Sequence, residues 1–326
     1  MNASTASAPA PARASSAVVL ANLGTPDSPT PPAVRRYLGE FLGDPRVVDL
    51  PRLFWLPLLH GVVLPLRAPK VAPKYASVWM EGGSPLAVYT RGLADAVAER
   101  MPGVRVVDAM RYGNPSLAAV LQDLRASGFE DILLVPLYPQ YSTTTTASMQ
   151  DVVDRVGGTG IRVVQDYHDD PAWVEAVAAT IRARHREHGP AHLLFSFHGL
   201  PQKVVDNGDP YQRQCEASAA AIAAAAGLEP GQWDVSYQSR FGKAKWLEPS
   251  TSGTLQRLAD QGVREVDVIA PGFASDCLET LEEISMELAE EFAARGGKLR
   301  YIPCLNDSPG HADVIAALAR RHLDRD

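Results

Sequence analysis

Residues 193–201 read LLFSFHGLP, a run of apolar and small residues that ends in a histidine and then a Gly-Leu-Pro turn. Five residues with no polar alternation fit a strand buried on both faces, which is the habit of parallel sheets. An earlier stretch, VVLANLGTP at 18–26, has the same form with Leu23 where the later one has His198. Each is followed by the same sequence of signals. In the first half these are Arg111-Tyr112-Gly113, a helix, Gly128, a strand and Pro136; in the second they are Arg240-Phe241-Gly242, a helix, Gly262, a strand and Pro271. Gly24 and Arg111 stand 87 positions apart, against 41 for Gly199 and Arg240, so the first half carries an insertion.

Short β-branched runs recur along the whole chain, at 18–23, 104–110, 131–137, 161–165, 192–197, 234–238, 266–270 and 298–302. Helical patterns separate most of them: 30–42 with Thr30 as N-cap, 117–125, 171–187, 215–226 and 276–295. Strands alternating with helices predict an α/β protein of two similar domains, each a parallel β-sheet flanked by helices. The expected organisation is a disordered tail over 1–16, an N-terminal domain over 17–165 and a C-terminal domain over 166–326. Two such halves imply a cleft at the carboxyl ends of the strands, where His198 and the segment PGFASDCLE (271–279) both fall.

Composition excludes several functions. Acidic residues outnumber basic ones, 38 to 31, and no basic cluster is interleaved with aromatics, so no nucleic-acid partner is expected. Cys215, Cys277 and Cys304 form no CxxC pair, and three cysteines build neither a four-thiolate zinc site nor an iron–sulfur cluster. An odd cysteine count without a secretory signal points to a reducing, cytoplasmic setting. HExxH, a Walker A loop, GxSxG and GxGxxG are all missing, which argues against zinc hydrolysis and nucleotide chemistry. The most apolar stretch, LFWLPLLHGVVLPL at 53–66, is too short to span a bilayer, and its two prolines are expected to break it.

Two features could carry chemistry. His198 at a strand tip is a hydrogen-bonded turn residue, a base or a metal ligand, and the Gly-Leu-Pro turn after it presents the ring. The segment DCLETLEEISMELAEEF, read as an α-helix from Asp276, puts Leu278, Leu281, Ile284, Leu288 and Phe292 on one side. Asp276, Glu279, Glu283, Glu287 and Glu290 fall on the other. A solvated acidic face is the plain reading, although like charges four apart repel. Lining a channel, the same carboxylates would pass hard cations inward.

The string SFHGLPQKVVDNGDPY (196–211) closely resembles the ferrochelatase family. NLGTP (22–26), EGGSPL (81–86), MRYGNP (110–115), PLYPQYSTTTT (136–146), YQSRFGKAKWLEP (237–249), FASDCLETLEEI (273–284) and CLNDSP (304–309) follow in the family's order. The resemblance implies insertion of Fe²⁺ into a porphyrin, with iron as substrate and no cofactor required. It implies that His198 and Glu279 are the essential pair, as catalytic groups and metal contacts. Glu283 and Glu287 would form a metal relay, and Arg111, Tyr112, Tyr138 and Ser142 would line the cleft or touch substrate. The apolar stretch lies in a segment, 46–75, resembling the lip that covers the macrocycle and, through 53–66, touches membrane in forms that use protoporphyrin. A buried helix pair is the plainer reading of that stretch. This chain departs from some members in having no C-terminal cysteines for a [2Fe–2S] cluster, and Cys277 stands where many have histidine. Protoporphyrin IX is the expected substrate. Coproporphyrin III, or a protein that merely holds a tetrapyrrole, are the alternatives.

Overall fold

Eight parallel strands form two sheets of identical topology. In the first, β1 (Ser16–Thr25), β2 (Arg105–Gly113), β3 (Asp131–Pro136) and β4 (Ile161–Val163) lie in the order β2-β1-β3-β4. In the second, β5 (His192–His198), β6 (Trp233–Gln238), β7 (Glu265–Ile269) and β8 (Lys298–Ile302) lie in the order β6-β5-β7-β8. This is a computed structural model, and it describes residues 16–240, 242 and 244–324. All eight expected strands are present. Of the expected tail, residues 1–15 lie outside the described residues, and Ser16 already opens β1.

The central strands explain the uninterrupted apolar runs. Ala17 to Ala21 in β1 and Leu193, Leu194, Phe195 and Phe197 in β5 are fully buried, with helices on both faces. One core cluster runs through both halves, joining Val18 and Leu20 to Phe195 and Phe197. The C-terminal helix Pro309–Leu323 crosses back onto helix Pro85–Arg100, where Arg100 meets Asp313 and the Arg320 guanidinium donates to the Arg100 carbonyl. The second half thereby clasps the first.

Strand register corrects one detail of the repeat. Asn22 pairs with Met110, and Phe197 pairs with Tyr237. Counting on from these, Arg111 matches Gln238 in the duplicated fold, and the two RxG strings are offset by two residues. Phe241 itself lies outside the described residues. The glycines of the two turns do correspond. A Cβ on Gly24, where φ is +118°, would sit 1.7 Å from the Tyr112 carbonyl oxygen, and one on Gly199 would sit 2.6 Å from that of Gln238. Both turns need a bare backbone because the neighbouring strand's carbonyl passes so close.

Two helical expectations are also corrected. The apolar stretch does not break at its prolines: Arg52–Leu58, a π-turn over Leu59–Val63 and helix Leu64–Val78 run on continuously. Pro57, Pro65, Pro69 and Pro73 are spaced at multiples of four and all lie exposed. The carbonyls they deprive of a donor therefore lie on the exposed side of the helix. The inner side of this lip packs Leu59, Leu64, Ala68, Ala72 and Tyr75 against helix Pro31–Gly43, whereas Leu53 and Phe54 are 88% and 79% exposed. It is a helix pair on one side only. The acidic segment is not an α-helix from Asp276: Glu279–Leu288 is a π-helix, with α-helical turns resuming at Ala289–Ala293.

Gly24→Ala should destabilise the protein by at least about 2 kcal/mol, because the new methyl group collides with backbone. Gly43→Ala, with nothing within 4 Å, should change stability by less than about 1 kcal/mol. Urea unfolding of the two variants side by side checks the contrast.

Candidate active site

His198 is the last residue of β5, and two hydrogen bonds and the strand register fix the chain there. Its carbonyl accepts from Tyr211 Oη at 3.0 Å, the Gly199 N–H donates to the Gln238 carbonyl at 2.8 Å, and His198 pairs in register with Gln238 of β6. The imidazole meets Phe273 edge-on, centroid to centroid 6.2 Å. Burial lowers its pKa from 6.5, with Glu279's charge acting in the opposite direction. The ring is therefore neutral near pH 7, with a lone pair to offer.

Gln238 also fixes the opposite wall. Its Nε2 donates to the Glu279 carbonyl at 2.9 Å, and its Oε1 accepts from Ser196 Oγ at 2.6 Å. One buried amide thus joins the strand carrying His198 to the first turn of the π-helix. Asp276, expected on the acidic face, is instead a buried anchor for that turn. Its carboxylate accepts from Tyr301 Oη (2.6 Å), Asn306 Nδ2 (2.7 Å), Thr280 Oγ1 (3.1 Å) and the Cys304 N–H (3.3 Å). A carboxylate with four donors has little left for a metal.

The remaining acids form a graded line. Glu279 and Glu283 are partly buried, whereas the Glu287 side chain is 53% exposed. Ser239, in the left-handed region at φ +63°, donates its N–H to Glu283 Oε1 at 2.7 Å and its hydroxyl to Oε2. Burial nevertheless pushes Glu283 up to about 7, the Ser239 bonds opposing and the charges of Glu279 and Glu287 adding to the rise.

Glu279 lines a narrow cavity with Leu23, Gly24, Tyr37, Tyr75, Leu86, Cys277 and others, about 300 Å³ of empty space including its mouth. Leu23, the counterpart of His198 in the duplicated fold, is on that wall; His198 is not. The Tyr37 and Tyr75 rings meet edge-on at 6.4 Å. Burial raises both hydroxyls, Glu279's charge raises them further, and they remain neutral donors. Burial likewise raises the Cys277 thiol, which stays protonated beside Glu279.

Arg111 and Tyr112 form a cluster in the first half. Arg111 Nε donates to Ser148 Oγ (2.6 Å) and to the Ser148 carbonyl (3.0 Å), and its guanidinium pairs with Asp44. Tyr112 Oη donates to the same Asp44 at 2.9 Å. Tyr138 Oη is buried with no protein partner, and burial raises its pKa. Ser142 Oγ donates to the buried carboxylate of Asp209 at 3.0 Å, and Asp209 also accepts from the Thr143 N–H and hydroxyl. That clasp joins loops of the two halves and occupies the Ser142 hydroxyl.

A family model described as Ferrochelatase matches residues 15–323. The chain belongs to the ferrochelatase family. It is 57% identical over 310 residues to the ferrochelatase of Xanthomonas axonopodis pv. citri strain 306, covering 94% of this chain and 98% of that one. The ferrochelatase of Xylella fastidiosa strain M12 is 54% identical over 312 residues, with the same coverages. Among solved structures, SirB from Bacillus subtilis with Fe³⁺ superposes with a TM-score of 0.56 at 12% identity, over 94% of this chain and 95% of that one. CbiX, described as the terminal enzyme of sirohaem biosynthesis in denitrifying bacteria, gives 0.53 at 16% identity, over 94% and 98%. At those identities the likeness is one of fold.

Within this ferrochelatase fold, sequence reasoning missed Gln238, Ser239, Tyr37 and Tyr75. Gln238 and Ser239 sit inside the quoted YQSRFG string, where the strand register alone reveals their role. The two tyrosines come from the insertion-rich first half, where no chemical pattern marks them.

The raised pKa of Glu283 has a consequence for stability. Its folded value lies above the ordinary 4.5, so ionising it costs folding free energy above pH 7, and the cost vanishes below pH 4.5. Glu283→Gln should therefore gain stability over the parent as pH rises, by roughly 2 kcal/mol between pH 5 and pH 8.5. Urea titrations at both pH values check this, and a pH-independent difference would contradict it.

Proposed function

We propose that His198 and Glu279 carry out, in this chain, the reaction for which the ferrochelatase family is named: Fe²⁺ enters a porphyrin, two pyrrole protons leave, and haem forms. The observation that carries the reading is that Gln238, in register with His198, also bonds the turn carrying Glu279, so that an imidazole and the innermost of a line of acids belong to one site. His198 accepts a pyrrole proton, and the imidazolium it becomes is stabilised by Glu279. Glu279 is the last carboxylate the cation meets, and Glu283 and Glu287 precede it. Oxygen ligands hold Fe²⁺ less tightly than thiolates would, so the ion can be handed on. The neutral Tyr37 and Tyr75 hydroxyls line the cavity beside Glu279, and the unpartnered Tyr138 hydroxyl is a further neutral donor. Arg111 and Tyr112, held by Asp44 and Ser148, would shape the ring's surroundings.

The substrate in this reading is protoporphyrin IX. Leu53, Phe54, Leu58, Val62 and Leu66 make the lip an exposed apolar edge, which suits the ring with fewer carboxylates. The same edge supports peripheral contact of a cytoplasmic, lyase-class enzyme with a membrane surface. Among the described residues no helix is long and apolar enough to cross one.

The test is the absorbance change as Zn²⁺ or Fe²⁺ enters proto- and coproporphyrin. The parent should turn over many times, faster on protoporphyrin, and His198→Ala should lose at least about two orders of magnitude in kcat while still binding ring. Stoichiometric binding without turnover would indicate a tetrapyrrole carrier, and near-normal turnover by His198→Ala would remove that residue from the chemistry.

A further inference from the structure

Lys74 lies near the base of the lip, next to Tyr75, which lines the cavity with Glu279. Its ammonium points away from the core and reaches the π-helix. Nζ stands 2.8 Å from Glu282 Oε1 and 3.4 Å from Glu287 Oε2. Glu282 is not in the line 279, 283, 287; it sits one position off it, facing the lip, and its side chain is only 16% exposed. Glu287 is the outermost acid of the line. A single lysine therefore ties the lip to the acids where a cation would arrive.

We propose that Lys74 is a latch on the lip, and that a divalent cation arriving at Glu287 competes with its ammonium, so that metal entry loosens the lip. The inference rests on the reading that the substrate metal enters by way of Glu287. Its energetics suit a latch. The Lys74 side chain is 45% exposed, and such ion pairs contribute little, about 0–1 kcal/mol. A divalent ion carries twice the charge and accepts carboxylate oxygens readily, so it can displace the ammonium at Glu287. A cation seated between Glu282 and Glu287, where Nζ now stands, displaces the ammonium from both, and the lysine returns when the ion moves on.

Hydrogen–deuterium exchange of the lip amides, residues 52–78, tests this on the full chain without porphyrin. Lys74→Met should speed exchange about two- to fivefold at low ionic strength, and the difference should fade in 0.5 M NaCl as the pair is screened. Lys74→Arg should behave like the parent, and so should Lys70→Met, an exposed lysine one turn earlier. Zn²⁺ added to the parent should produce a similar speeding, which Lys74→Met and Glu287→Gln should each abolish. Unchanged exchange in Lys74→Met overturns the latch, and slower exchange on adding Zn²⁺ overturns the competition. The entry route is tested separately: normal dependence of turnover on metal concentration in Glu287→Gln would contradict the route, while the Lys74→Met exchange result would stand on its own.

Discussion

The hydrogen bond from Gln238 to the Glu279 carbonyl is the constraint on which the rest of the site depends. Parallel register sets Gln238 beside His198, and the amide then holds the first turn of the π-helix opposite the imidazole. Gln238 is buried, and losing its bond would leave a buried amide without its partner as well as a wall displaced. In the first sheet the matching position is Arg111, which turns instead to Asp44 and Ser148. One duplicated frame thus supplies an imidazole and carboxylates from one half, and a cavity wall with an apolar lip from the other.

The π-helix carries an acidic and a buried stripe side by side. In an α-helix, side chains four apart drift about 40° around the axis at each step. Here the buried positions Thr280, Ile284, Leu288 and Phe292 recur every fourth residue, and so do Glu279, Glu283 and Glu287. Each acid immediately precedes a buried residue, so the two stripes adjoin, with the acids along the edge of the buried face. Repulsion along the acidic stripe is relieved differently at each level. Ser239 and a raised pKa serve Glu283, whereas exposure and Lys74 serve Glu287.

Much of the fold was legible in the amino-acid sequence because buried parallel strands leave apolar runs and their turns need glycine. All eight strands and the duplication followed from those two effects. What was not legible came from interactions that composition does not encode. The π-helix reads as amphipathic in either helical period, so the spacing of its acids did not distinguish the two. The prolines of the lip look like breakers until their shared exposure is known. Asp276 looks like one more surface acid, and only the fold reveals Tyr301 and Asn306 converging on it. His198 and Glu279 stood out by motif; Gln238, which joins their walls, did not.

The central claim is that His198 and Glu279 act as one unit in metal insertion. A double-mutant cycle on the single-turnover rate, using His198→Ala, Glu279→Gln and the pair together, tests it most directly. Groups that share one step are strongly non-additive, so the double variant should be no more than about threefold slower than the slower single one. Losses that multiply would mean that the two residues serve independent steps, and would contradict the account.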